Sequence, residues 1–182
     1  MTVLLVIAAA LLVLGALLFN RLVRLRNQVE SAWADIDVQL TRRHDLVPQL
    51  VNAVKGYAGH EKAVLQAVTE LRARAEATES PRELGRLESL LERALSRLFA
   101  LREAYPELKA NENFLRLQRD LVDVEEHLQY ARRFYNGAVR DLNTAVQRVP
   151  DLFVARAFGF REAEFFQAED EARGPARVEV EG

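Results

Sequence analysis

The sequence predicts an all-α protein: an N-terminal transmembrane helix followed by an elongated antiparallel up-and-down bundle of three to four long helices. Three observations predict it. Apolar residues recur at alternating steps of three and four along most of the chain, the spacing that gives a helix one buried stripe. Val3 to Phe19 is a run of uncharged, uniformly apolar residues. Two-residue turns flanked by alternating β-branched runs, the mark of a hairpin, are missing from the sequence.

The first element is the apolar run. As a helix it spans about 25 Å, somewhat less than the ~30 Å hydrocarbon layer of a bilayer. Asn20 closes it, and Arg21, Arg24 and Arg26 follow at once, while only Met1 and Thr2 precede it. A cleaved signal peptide carries its basic residues before the apolar core and a small-residue site after it. Here the charge lies on the other side, so a retained anchor is expected over residues 1–21. By the positive-inside rule the arginines act as topology anchors, keeping the body in the cytoplasm and the N-terminus out.

The second element runs from Val29 to Ala75. Its stripe is Val29, Trp33, Ile36, Leu40, Arg43, Val47, Leu50, Val54, Tyr57, Glu61, Val64, Val68, Leu71 and Ala75. Only Arg43 and Glu61 are charged, and both are expected to pair with neighbouring helices as polar positions that set register. Pro48 predicts a kink near His44. Gly56 and Gly59 permit a hairpin there, which would give helices of comparable length. The uninterrupted phase of the stripe permits one long helix. Both alternatives stand.

Ser80-Pro81-Arg82-Glu83 starts the next helix with a capping box and proline at the first helical position. Its stripe runs from Leu84 to Leu108, interrupted at Tyr105-Pro106. Asn111 is the expected N-cap of the following helix, whose stripe from Phe114 to Val149 holds no charge and ends at Pro150. Bundle and phenylalanine-rich segment together make one body, residues 22–173. Phe153, Phe158, Phe160, Phe165 and Phe166 crowd into that segment, with Gly159 between two short helical turns. They form either a lid packed on the bundle or an exposed patch for a partner or the membrane surface. Residues 174–182, beginning at Gly174-Pro175, are expected to be a disordered tail.

Composition narrows the function classes. The net charge of −2 offers no basic face for nucleic acid. The absence of cysteine excludes disulfides, thiolate metal sites and cysteine nucleophiles. No phosphate-binding loop, dinucleotide fingerprint or nucleophile elbow occurs. His60-Glu61 begins like a zinc-protease motif, but Val64 stands where the second histidine belongs. Glu125-Glu126-His127 lacks the Glu-x-x-His spacing of a di-metal bundle. His44, His60 and His127 therefore read as structural or surface residues, and no catalytic, cofactor-binding or metal residue is expected, nor a small-molecule substrate.

Several strings together resemble the bacterial LemA family: RLRNQVESAWADIDVQLTRRHDLVPQLV, VKGYAGHE, LFALREAYPELKANENF, ARRFYNGAVRDLN and a final FGF. The resemblance runs from about Leu22 to Phe166. It implies a single-span membrane protein with a cytoplasmic helical bundle, a poorly defined biochemical role and no catalytic residues to carry over. A relative in that family takes part in shaping magnetosome membranes, and family genes often neighbour a membrane zinc protease. The function expected is a non-enzymatic scaffold at the cytoplasmic face of the cell membrane, acting by self-association as a homo-oligomer or through a membrane protein partner. A membrane-remodelling oligomer is the alternative, and a metal-binding or enzymatic bundle a minor one.

Overall fold

A computed structural model describes residues 1–166. The expected disordered tail at 174–182, and the last stretch of the predicted body, lie outside the described residues. Six α-helices are formed among the described residues: α1 Thr2–Lys55, α2 Lys62–Glu76, α3 Pro81–Ala100, α4 Pro106–Lys109, α5 Glu112–Gln147 and α6 Asp151–Phe158. A 3-10 turn, Leu101–Glu103, joins α3 to α4. No strand occurs among the described residues, so the chain is all-α as expected.

The apolar run and the first body helix are one element, because α1 begins at Thr2 and stays helical through Pro48 to Lys55. Pro48 lies on an exposed face, where its ring projects away from packed neighbours and the missing N–H is tolerated. The open question at Gly56 and Gly59 is resolved as a turn. The amides of Tyr57 and Ala58 donate to the Val54 carbonyl, and a Cβ on Gly59 would stand 2.9 Å from the Lys55 carbonyl oxygen. Only glycine permits that close approach. At the turn the buried positions move by one residue, to Ala58 and Leu65 where the unbroken phase put Tyr57 and Val64, while Val68 and Ala75 further on are buried as expected.

The remaining boundaries follow local chemistry. The Ser80 hydroxyl accepts from the Glu83 amide, with Pro81 in the first turn. Tyr105 takes an extended backbone before Pro106, which breaks the α3 stripe as the proline requires. The Asn111 side chain accepts from the Phe114 amide at 2.9 Å, capping α5. Every predicted stripe position on α5 from Phe114 to Ala145 is buried, and only Val149, past the helix end, is exposed.

The chain divides into two compact units. The first comprises Met1–Leu46 and Leu117–Phe165. Within it α1 and α5 run antiparallel, since contacts pair rising with falling numbers: Trp33 with Tyr135, Arg42 with Asp123. Ile36, Leu40, Val124 and Leu128 form its interior, each contributing about 1.5–3 kcal/mol by leaving water. After α6 the chain is irregular rather than helical, which corrects the second helical turn expected beyond Gly159. Gly159 itself is left-handed, with φ 73°, and the amide of Phe160 donates to the Ala155 carbonyl, a glycine-ended helix terminus. The outgoing strand of chain is pinned along α5. Asn143 exchanges two hydrogen bonds with the backbone of Ala163, and the Tyr135 hydroxyl donates to the Glu164 carbonyl at 2.8 Å.

The second unit comprises Val47–Arg116 together with Phe166. Its interior is built by Leu50 and Val54 of α1, Val68 of α2, and Leu87, Leu91 and Leu98 of α3. Phe114 is fully buried and meets the Phe99 ring edge-on at 6.2 Å.

Candidate functional site

Two places in the first unit gather residues singled out above. One is where the apolar run ends. Phe19, the last residue of the run, meets the ring of Phe158 edge-on at 4.9 Å and that of Phe160 at 5.7 Å. The guanidinium of Arg26 lies 5.6 Å from the Phe160 centroid, a cation over an aromatic face. Arg21 donates to Asp151 Oδ2 at 2.7 Å, and Asp151 is buried. Arg24 is exposed. The three predicted topology arginines therefore have three environments: one pairs with a buried carboxylate, one covers a ring and one faces outward.

The five phenylalanines divide as well. Phe153 and Phe158 are each 65% exposed, Phe166 is 2% exposed, and Phe160 and Phe165 are half-buried. Phe166, which groups with the second unit, is buried, while α6 of the first unit keeps Phe153 and Phe158 exposed. Asp151 and Phe19 were not legible as partners in the sequence. Asp151 reads as a carboxylate in the first turn of a short helix, favoured there by the helix dipole, and only the fold brings it to Arg21.

The second place is the interior between α1 and α5. Arg43 is 3% exposed and lies 3.2 Å from Glu125 Oε2, while Arg132 approaches Oε1 of the same carboxylate at 3.6 Å. Sequence reasoning found Arg43 but missed the other two. Glu125 and Arg132 stand seven residues apart, each directly after a stripe position (Val124 and Ala131), so two opposite charges on one flank of a stripe were the available signal. Glu61, the other charge on the predicted stripe and likewise expected to pair with a neighbouring helix, belongs to the second unit. It precedes α2 and accepts from the Tyr105 hydroxyl at 3.3 Å, a neutral partner in place of a charge.

The histidines do not meet. His44 is buried, His60 exposed, and His127 places Nδ1 2.7 Å from the Asp123 carbonyl of its own helix. Among the described residues no group of three or more histidine and carboxylate side chains could hold a metal ion. Two open clefts are present. One of about 340 Å³ lies on the first unit between Val38, His127, Tyr130 and Phe134. Tyr130 is 68% exposed, Phe134 52% and Val38 63%, so its walls are aromatic and apolar yet face outward. The other, about 780 Å³, lies on the second unit between the end of α1 and α2, lined by Lys55, Lys62 and Glu70 with Leu65. Neither encloses a ligand-sized chamber with converging buried polar groups.

α1 contains a window long and apolar enough to cross a membrane, and none of that window is buried. A profile of the LemA family matches residues 32–181. The chain is 22% identical over 175 residues to magnetosome protein MamQ 2 of Paramagnetospirillum magneticum, covering 82% of this chain and 64% of that protein. It is 22% identical over 174 residues to magnetosome protein MamQ of Magnetospirillum gryphiswaldense, with 81% and 64% covered. Against protein LemA of Metamycoplasma hominis it is 24% identical over 155 residues, with 83% and 69% covered. The chain thus spans just under two thirds of the length of the magnetosome proteins it matches.

Proposed function

We propose that this chain, which belongs to the LemA family, is a single-span membrane protein whose helical body works as a non-enzymatic scaffold by self-association. The observation that carries the reading is the continuity of α1. One helix contains an apolar stretch with no buried residue in its most apolar window and, further along, positions such as Ile36 and Leu40 that are fully packed. A helix apolar all round in one half and amphipathic in the other suits lipid first and protein second. Arg24 and Arg26, exposed just past the run, favour a cytoplasmic body and an outward N-terminus.

The self-association surface in this reading is the outward cleft of Val38, Tyr130 and Phe134. Aromatic side chains in such a position supply large contact area at low entropic cost and are enriched in protein interfaces. Light scattering on the detergent-solubilised full chain tests it. A defined oligomer that dissociates on Phe134→Glu, with the helical melt unchanged, supports the scaffold. A monomer at all concentrations contradicts it. The relatives named as magnetosome proteins favour a second reading, in which the oligomer imposes shape on a bilayer. In that case purified protein tubulates or buds vesicles, and Phe134→Glu abolishes the effect.

A further inference from the structure

We propose that α6 is an interfacial membrane helix, seating Phe153 and Phe158 in the bilayer surface beside the point where α1 leaves the membrane. The inference rests on the reading of residues 3–19 as a membrane span. Depth is fixed by contact. Phe158 touches Phe19, which is the last apolar residue of the run, so the C-terminal end of α6 lies at the boundary of the hydrocarbon layer. Its N-terminal end is held by the Arg21–Asp151 pair. Phe19 and Arg21 differ by only ~3 Å of rise along α1, whereas the ends of α6 are ~10 Å apart. An eight-residue helix tied at both ends to so short a stretch crosses α1 and lies near the membrane plane.

The faces of α6 fit that placement. At ~100° per residue, Phe153, Ala157, Val154 and Phe158 fall within one arc of about 140°. Asp151 and Ala155 fall outside it and are the buried residues of the helix. The aromatic arc is the exposed one. Exposed arginines stand close to it in the chain, Arg148 before α6, Arg156 within it and Arg161 just after it, with Arg24 one turn beyond Arg21 on α1, and such cations are attracted by an anionic headgroup layer. The arc also answers a shortfall. The apolar run spans about 25 Å against ~30 Å of hydrocarbon, and an interfacial helix buries its apolar face ~5–10 Å into the headgroup boundary. α6 thus extends the apolar surface past Phe19 on one side of α1, where the run alone falls short.

Because the chain contains no cysteine, one introduced cysteine can be spin-labelled uniquely in the full-length protein. Five labelled variants, Leu11→Cys, Val122→Cys, Phe153→Cys, Ala157→Cys and Phe158→Cys, would be reconstituted in vesicles of phosphatidylcholine and phosphatidylglycerol; Val122 is exposed on α5 and lies outside the Val38–Phe134 cleft. Collision with oxygen against a water-soluble nickel chelate reports depth. The proposal expects position 11 deep in the bilayer, position 122 in water, and positions 153 and 158 at the interface, with an oxygen-to-nickel ratio several-fold above that of position 122. Ala157→Cys, which removes no aromatic ring, gives the same interfacial ratio and guards against loss of α6 in the phenylalanine variants. If position 11 is deep while 153, 157 and 158 match position 122, the span stands and the interfacial helix is overturned, leaving the aromatic arc to a protein partner. If position 11 is also in water, the span reading fails and takes this inference with it.

Discussion

Glu125 faces two guanidiniums in the interior of the first unit, and its replacement is the most informative single change at the residue scale. Arg43 and Arg132 share this one carboxylate, so Glu125→Leu leaves two buried cations without it. Breaking a buried ion pair from one side costs about 3–5 kcal/mol, and a denaturant melt should show a loss in that range. Arg43→Met should cost less, since Glu125 then keeps Arg132. Equal losses for the two variants would contradict the shared-carboxylate arrangement. Tyr135 carries a pH signature. Burial raises its pKa, and the Glu164 carboxylate adds to the shift. The fold therefore favours the neutral phenol. Its contribution is fully present below the ordinary tyrosine value of about 10 and is lost as pH rises through the higher folded value. Tyr135→Phe should cost about 1 kcal/mol at neutral pH, the net value of a hydrogen bond, and should flatten the alkaline fall in melting temperature. An unchanged alkaline profile would assign that fall to other groups.

At the scale of the elements, turns and caps carry the testable weight. Gly59→Ala puts a methyl group 2.9 Å from the Lys55 carbonyl oxygen and should destabilise by ~1–3 kcal/mol. The neighbouring Gly56 has only a contact at 3.9 Å with the Ala53 carbonyl oxygen, so Gly56→Ala is the milder change and a control. A melt that ranks them the other way would refute the close approach. Most of the helices were legible because period and caps agree: Ser80, Asn111 and the charge-free stripe of α5 each specify a boundary or a face locally. The break after Lys55 was not decided by period, since a turn can shift a stripe by one residue and still leave apolar residues in phase, as Tyr57 and Val64 were. The partners of Arg21 and Arg43 were illegible for a different reason. Asp151 lies 130 residues from Arg21, and pairing over that separation is set by how α1 and α5 run antiparallel. The phenylalanine-rich segment was readable as a cluster, but the exposure of Phe153 and Phe158 was not, because α6 is held by the long-range contacts of Asp151 with Arg21 and of Phe158 with Phe19.

For the whole molecule, the proposed function requires that residues 3–19, an apolar stretch long enough to cross a membrane, hold the chain in a bilayer. That claim is open to a direct measurement. The full-length protein and a chain beginning at Leu18, which keeps the Phe19 and Arg21 contacts to α6, are each mixed into vesicles, washed with alkaline carbonate and floated on a density gradient. The account predicts that the full-length protein floats with the lipid after the wash, while the shortened chain is stripped into the soluble fraction with its helical spectrum intact. Removal of the full-length protein by carbonate would contradict the membrane span and the scaffold built upon it.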